Sequence, residues 1–134
     1  MNFTPEQLLA IKVPFLETLG VEYVSHSKGQ GSFKLTIEEK HLRTLGLLHG
    51  GVSCSLLDTT MGLAAMTCAE EGKVIVTSQM NVHFIRPCRL GETIIASAHV
   101  KHGGRQTVVT EAELKTDTGE LVAVSTATYM YASA

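Results

Sequence analysis

Apolar positions along the chain recur first at helical spacing, then in alternation, then again at helical spacing, and finally in alternation to the end. The opening segment begins with a helix start. Thr4 can cap, Pro5 suits the first helical position, and Gln7 stands where a capping-box partner belongs. This predicts an N-terminal helix within residues 1–19 that carries Leu8, Leu9, Ile11, Phe15 and Leu16, bends or breaks at Pro14, and stops near Gly20. Two short strands are predicted at 21–27 and 32–38, with Gly29 and Gly31 marking the turn between them. Residues 40–48 read as a connection.

The second helical pattern is the longest, from about 51 to 70 and, with its ends, 50–71. At about 100° per residue, Val52, Leu56, Leu63 and Met66 fall on one side and Cys54, Leu57, Met61, Ala64, Ala65 and Cys68 on the other. A helix apolar all round is expected to be surrounded by protein. Glu70, Glu71 and Gly72 should end it. Beyond it, residues 73–85 alternate. Val74, Val76, Ser78, Met80, Val82 and Phe84 are expected on one face, and Ile75, Thr77, Gln79, Asn81, His83 and Ile85 on the other. Arg86-Pro87 closes that strand. Three further strands, 93–102, 105–116 and 121–131, are separated by Gly103-Gly104 and Asp117-Thr118-Gly119 turns. Long strands around one central helix predict an α+β fold, an antiparallel sheet of about six strands curved around that helix.

Composition narrows the class. The 134 residues suit a single domain, 1–134, with 44% hydrophobic and 18% charged residues. A net charge of −2 gives no electrostatic case for nucleic acid. No apolar run is long enough to span a bilayer, and the start of the chain lacks a signal-peptide layout. Cys54, Cys68 and Cys88 leave an odd thiol and fit no zinc spacing, which favours a reduced, cytoplasmic setting. The six histidines show no metal-ligand spacing either.

The candidate chemistry sits where the central helix begins. Unpaired N–H groups and the positive end of the helix dipole meet there, and His49-Gly50-Gly51 leaves the backbone open to a ligand. That motif reads either as an oxyanion site or as a simple turn. From Gly50 to Ala69 the one charged residue is Asp58. A mid-helix Asp is a poor helix former, and burying it unpaired is costly. It reads as a general base or nucleophile, or as a carboxylate facing a solvent gap or bonded to a nearby Ser or Thr. Gly50 and Asp58 are ~12 Å apart along a helix axis at ~1.5 Å per residue. If both act on one small carbonyl, they should come from two subunits packed helix to helix. A Cys54–His49–Asp58 nucleophilic set is also conceivable, with Cys54 equally readable as a small core residue.

Several motifs together carry a family resemblance over residues 20–131. They are Leu48-His49-Gly50-Gly51, Leu57-Asp58 with Gly62, Met80-Asn81-Val82, and Phe84-Ile85-Arg86-Pro87 ahead of Gly91-Glu92. The chain resembles the hotdog-fold acyl-CoA thioesterases, in particular the phenylacetate-degradation, PaaI-like type. The resemblance implies a homodimer with one continuous sheet, assembled as a dimer of dimers, with sites at the interface and no cofactor beyond the CoA thioester itself. It implies that the Gly50 N–H polarises the thioester carbonyl and that Asp58 of the other subunit activates water or attacks directly. His49 shapes the site, and Thr77 or Ser78 positions water. Arg43 stands six residues before the His, where the family often has Asn or Gln. The implied substrate-binding set is Arg43, Gly51, Met61 and Asn81, with Arg86, Lys101, His102 and Arg105 as candidates for the CoA phosphates. Two other readings of the scaffold stay open, a non-catalytic acyl-CoA binder and a dehydratase or hydratase.

Overall fold

The computed structural model describes residue 7 and residues 12–133. The expected helical residues Thr4, Pro5, Leu8, Leu9 and Ile11 lie outside the described residues. Helix α1 is Pro14–Leu19, with Pro14 in its first turn and extended Val13 before it. Phe15 is 58% exposed.

Six strands follow: β1 (Glu22–Ser27), β2 (Gln30–Thr36), β3 (Lys73–Phe84), β4 (Thr93–Gly103), β5 (Thr107–Thr116) and β6 (Leu121–Ser133). They form one antiparallel sheet in the order β1-β2-β4-β5-β6-β3. Helix α2, Gly50–Met66, lies across one face and touches every strand. Leu35, Ile37, Leu56, Leu57, Met61, Ile94, Val108 and Leu114 are fully buried between helix and sheet. Each such side chain contributes about 1.5–3 kcal/mol of burial. The arrangement is the hotdog fold, α+β with six strands curved around one long helix.

The structure departs from the sequence pattern in four places. First, α2 ends at Met66, short of residue 71. The Thr67 hydroxyl bonds back to the Ala64 carbonyl at 2.6 Å and accepts the Gly29 N–H at 2.7 Å, which ties the helix end to the β1–β2 turn. Second, α2 is not enclosed on all sides. Gly51 is exposed and Cys54, Ser55, Asp58, Thr59 and Gly62 are half-buried, forming an open stripe at spacings of three and four.

Third, the alternation of β3 is broken. Its register runs Thr77↔Tyr129 and then Gln79↔Thr128, so a bulge sits at Ser78. An extra residue switches the face of everything after it. Ile75 and Thr77 face the helix before the bulge, and Met80 and Val82 pack on the core after it. Asn81 and His83 therefore line a polar groove on the outer face of the sheet, with His99 and Glu111. Fourth, Gly31 belongs to β2 and not to the turn. A Cβ there would sit 3.0 Å from Leu63 Cγ and Cδ2 and 3.2 Å from the Ala64 backbone nitrogen. Gly31 is what lets α2 approach β2.

Gly31→Ala should therefore destabilise the fold by about 1–3 kcal/mol, the usual cost of overpacking. Urea unfolding monitored by circular dichroism measures it. Adding Leu63→Ala should restore little, because the Ala64 backbone contact remains; full recovery in the double variant would assign the strain to the Leu63 side chain alone.

Candidate active site

His49 is the N-cap of α2 in extended conformation (φ −67°, ψ 129°). Its Nδ1 accepts the Gly51 N–H at 2.8 Å, so in the neutral ring the proton lies on Nε2. A Cβ on Gly51 would lie 2.9 Å from that Nδ1, so the cap requires glycine there. The cap consumes one orphan helix donor and leaves the Gly50 N–H, which makes no hydrogen bond among the described residues. The Phe84 ring packs 3.4 Å from the position a Gly50 Cβ would occupy, forming an apolar wall beside that donor.

The loop before the cap is built on His41, which is 1% exposed. Its Nδ1 accepts the Glu38 N–H at 2.8 Å, its Nε2–H donates to the Leu19 carbonyl at 2.6 Å, and its own carbonyl accepts the His49 N–H at 2.9 Å. The ring thus links the end of α1 to the start of α2. Sequence reading treated His41 as one unplaced histidine among six. A buried ring bonded at both nitrogens has no local signature.

Asp58 lies two turns into α2 on the open stripe. Its Oδ1 accepts the Thr77 hydroxyl at 2.9 Å and the Tyr129 hydroxyl at 2.8 Å. The Tyr129 oxygen is also 2.8 Å from the Asp58 main-chain oxygen. Of the two strand candidates, Thr77 reaches the carboxylate, and Ser78 sits at the bulge that puts Thr77 in place. Tyr129 was missed by sequence reading, because its link to Asp58 depends on which strand lies under that helical turn. Buried at 1% exposure, its phenol is pushed well above the ordinary tyrosine range, by burial first and then by the Asp58 charge, and stays a protonated donor. The Cys54 thiol, one turn before Asp58, is also pushed up, chiefly by burial and then by Asp58. That is the opposite of an activated nucleophile.

The remaining candidates are dispersed. The Arg43 guanidinium donates to Thr44 Oγ1 at 3.2 Å and makes no bond to Asp58. Met61 is wholly buried in the core, because its face of α2 turns toward the sheet and away from the open stripe. Asn81 faces the outer groove, for the bulge reason given above. Arg86 lies past Phe84, paired with Glu120 at 2.7 Å and Glu92 at 3.3 Å. Lys101 pairs with Glu111 at 3.3 Å. With His102 and Arg105 it belongs to the β4–β5 hairpin end; Lys101 and His102 lie on the Gly50 side of the Gly103–Val108–Tyr129–Thr77 row, and Arg105 lies in the turn beyond it. Among the described residues no three His, Cys, Asp or Glu side chains gather as a metal site, and no helix is long and apolar enough to cross a membrane.

Residues 45–123 match the model of the thioesterase superfamily. Acyl-coenzyme A thioesterase 13 of Homo sapiens is 34% identical over 111 residues, covering 81% of this chain and 79% of that protein. Acyl-coenzyme A thioesterase PaaI of Escherichia coli is 32% identical over 108 residues, 81% of this chain and 75% of its own length. The solved structure of the E. coli PaaI protein superposes with a TM-score of 0.87 at 26% identity, covering 96% of this chain and 91% of that one. A thioesterase structure from Haemophilus influenzae also gives 0.87 at 29% identity, covering 99% and 93%.

The raised Cys54 thiol gives a direct check on the local electrostatics. Asp58→Asn should speed iodoacetamide alkylation of Cys54 at pH 8 by roughly two- to tenfold, since removing the nearby charge increases the thiolate fraction. Peptide mapping by mass spectrometry separates it from buried Cys88, which should not respond. An unchanged Cys54 rate would remove the coupling.

Proposed function

The chain belongs to the thioesterase superfamily, in its PaaI-like branch, and is a thioester hydrolase; on that premise we propose that it hydrolyses acyl-CoA thioesters to a free acid and CoA. The observation that carries this reading is the pair of unspent groups on α2. One is the Gly50 N–H, left free at the helix start. The other is Asp58, whose Oδ1 takes two hydroxyl donors while Oδ2 takes none among the described residues. The thioester oxygen binds at the Gly50 N–H, where the helix dipole favours developing negative charge. The second Asp58 oxygen takes a proton from a water whose oxygen bonds to the carbonyl carbon, or itself bonds to that carbon to give a mixed anhydride that water then hydrolyses, freeing the acid and Asp58. The C–S bond then breaks and the CoA sulfur leaves, taking up a proton. A thioester is already activated, so this route asks the protein for one oxyanion donor and one carboxylate. His49 serves as the cap that holds the N-terminus open, since its Nδ1 is already engaged.

The two groups act across a homodimer. In one protomer eight residues of helix, ~12 Å of rise, separate them. Strand β3 is a sheet edge with a free row of backbone groups, and the open stripe of α2 lies beside it. Antiparallel pairing of two β3 strands continues the sheet and carries the Asp58 of one copy toward the Gly50 of the other. Exposed Phe84 and Ile85 supply an apolar wall for the acyl group. Arg86, Lys101, His102 and Arg105 lie at opposite ends of one protomer, and this reversal brings one copy's set toward the other's. The dimers pair further into a tetramer. The whole chain acts as one such domain.

Two variants test the shared site. Asp58→Asn should lower kcat about 10²–10⁴-fold by removing the base. Gly50→Pro deletes the N–H at the first helical position, where proline is tolerated and where His49 is already extended as a pre-proline residue must be; it should cost about 10²–10³-fold in kcat. Neither homodimer should turn over well. Refolded together, they should recover about a quarter of wild-type CoA release, because half of the dimers are mixed and each holds one intact site. Two inactive parents that yield an inactive mixture would sink the shared site. Wild-type rates in Asp58→Asn would sink the mechanism.

A further inference from the structure

We propose that Tyr129 is a positioning residue of the reaction, fixing the rotation of the Asp58 carboxylate so that one oxygen is held and the other faces the open stripe of α2. This rests on the reading of Asp58 as the reacting carboxylate. The geometry carries it. Tyr129 is 1% exposed on β6, and its ring lies over Gly62, the residue one turn beyond Asp58. A buried phenol needs a partner, and a main-chain carbonyl suffices in most cores. Here the hydroxyl sits 2.8 Å from Asp58 Oδ1 and 2.8 Å from the Asp58 carbonyl, so it anchors the carboxylate to its own backbone.

Thr77 is the register partner of Tyr129 on β3 and donates to the same oxygen. The two donors differ. The Thr77 hydroxyl sits on an exposed edge strand, whereas the Tyr129 oxygen is fixed by a ring packed in the core. The phenol is also unsuited to proton transfer itself. It lies buried beneath the stripe, and burial and the Asp58 charge both resist its ionisation. Its role is therefore exerted through Asp58.

The test is CoA release from a panel of aromatic and fatty acyl-CoAs, with wild type, Tyr129→Phe, Tyr131→Phe and Asp58→Asn. Phenylalanine keeps the packed ring, and Oδ1 keeps the Thr77 bond, so Tyr129→Phe should fold; thermal melting checks this. It should lower kcat by about tenfold or more with KM within about twofold, on the scale of a hydrogen bond to a charged group. Tyr131→Phe, which loses a 3.4 Å bond to the Cys68 carbonyl, should match wild type. In an Asp58→Asn background, Tyr129→Phe should add little to the loss. Wild-type turnover with Tyr129→Phe unchanged in kcat would overturn this role and leave the hydrolase reading standing. A lowered melting temperature with unchanged kinetics would do the same. No wild-type turnover on any thioester of the panel would overturn both.

Discussion

A carboxylate two turns into the best-packed helix of the molecule is held by two hydroxyls that reach it from neighbouring strands. Thr77 and Tyr129 are cross-strand partners, so their side chains leave the sheet on the same face, beneath the same turn of α2. Both bonds require that the helix lie at a fixed height and register over β3 and β6. Gly62 lies at ordinary packing distance from the Tyr129 ring and Ile75, and Gly31 contributes at the far side by admitting Leu63 and the helix backbone. An Asp in a helix interior disfavours the helix, and an unpaired one near the core would cost still more. The sheet face turns that liability into a fixed carboxylate.

The bulge at Ser78 is the second element of this arrangement. On one side of it β3 must deliver a hydroxyl to Asp58; on the other it must deliver apolar surface, Met80 and Val82, to the core. In a regular strand these two demands are incompatible, because Thr77 would share its face with Gln79 and Asn81. One extra residue resolves the conflict. It also accounts for the outer groove, where the displaced Asn81 and His83 join His99 and Glu111. Site and core thus constrain the same short stretch of backbone.

How much of this was legible in sequence follows from the range of each interaction. Helix α2, the strands and their order along the chain are encoded in local periodicity, and His49-Gly50-Gly51 with Asp58 stood out because each residue is unusual for its local setting. The bulge was hidden, since Val74, Val76, Met80 and Val82 alternate without a visible break while the pairing shifts beneath them. Gly31 looked like a turn residue because a close approach by Leu63 leaves no mark near it in the sequence. Tyr129 and Arg86 take their roles from partners far along the chain or across a hairpin, Asp58 for one and Glu92 and Glu120 for the other. The end of α2 was set by the Gly29 N–H reaching Thr67, a contact between segments distant in sequence.

The fold leaves two surfaces that a lone copy serves poorly, and they adjoin. Strand β3 presents twelve residues of edge, and α2 presents a stripe of small side chains around a carboxylate. A long open edge invites pairing, and a stripe that includes Gly51 and Gly62 invites close approach. The catalytic reading adds a third demand, since the oxyanion donor and the base stand too far apart on one helix to share a small carbonyl. In the dimer proposed above, a two-fold axis near the middle of β3 answers all three at once: it pairs the edges, covers the stripes, and reverses one helix against the other. On that proposal, the separation of Gly50 and Asp58 within a protomer is what gives two sites in the pair, each with one half from either copy.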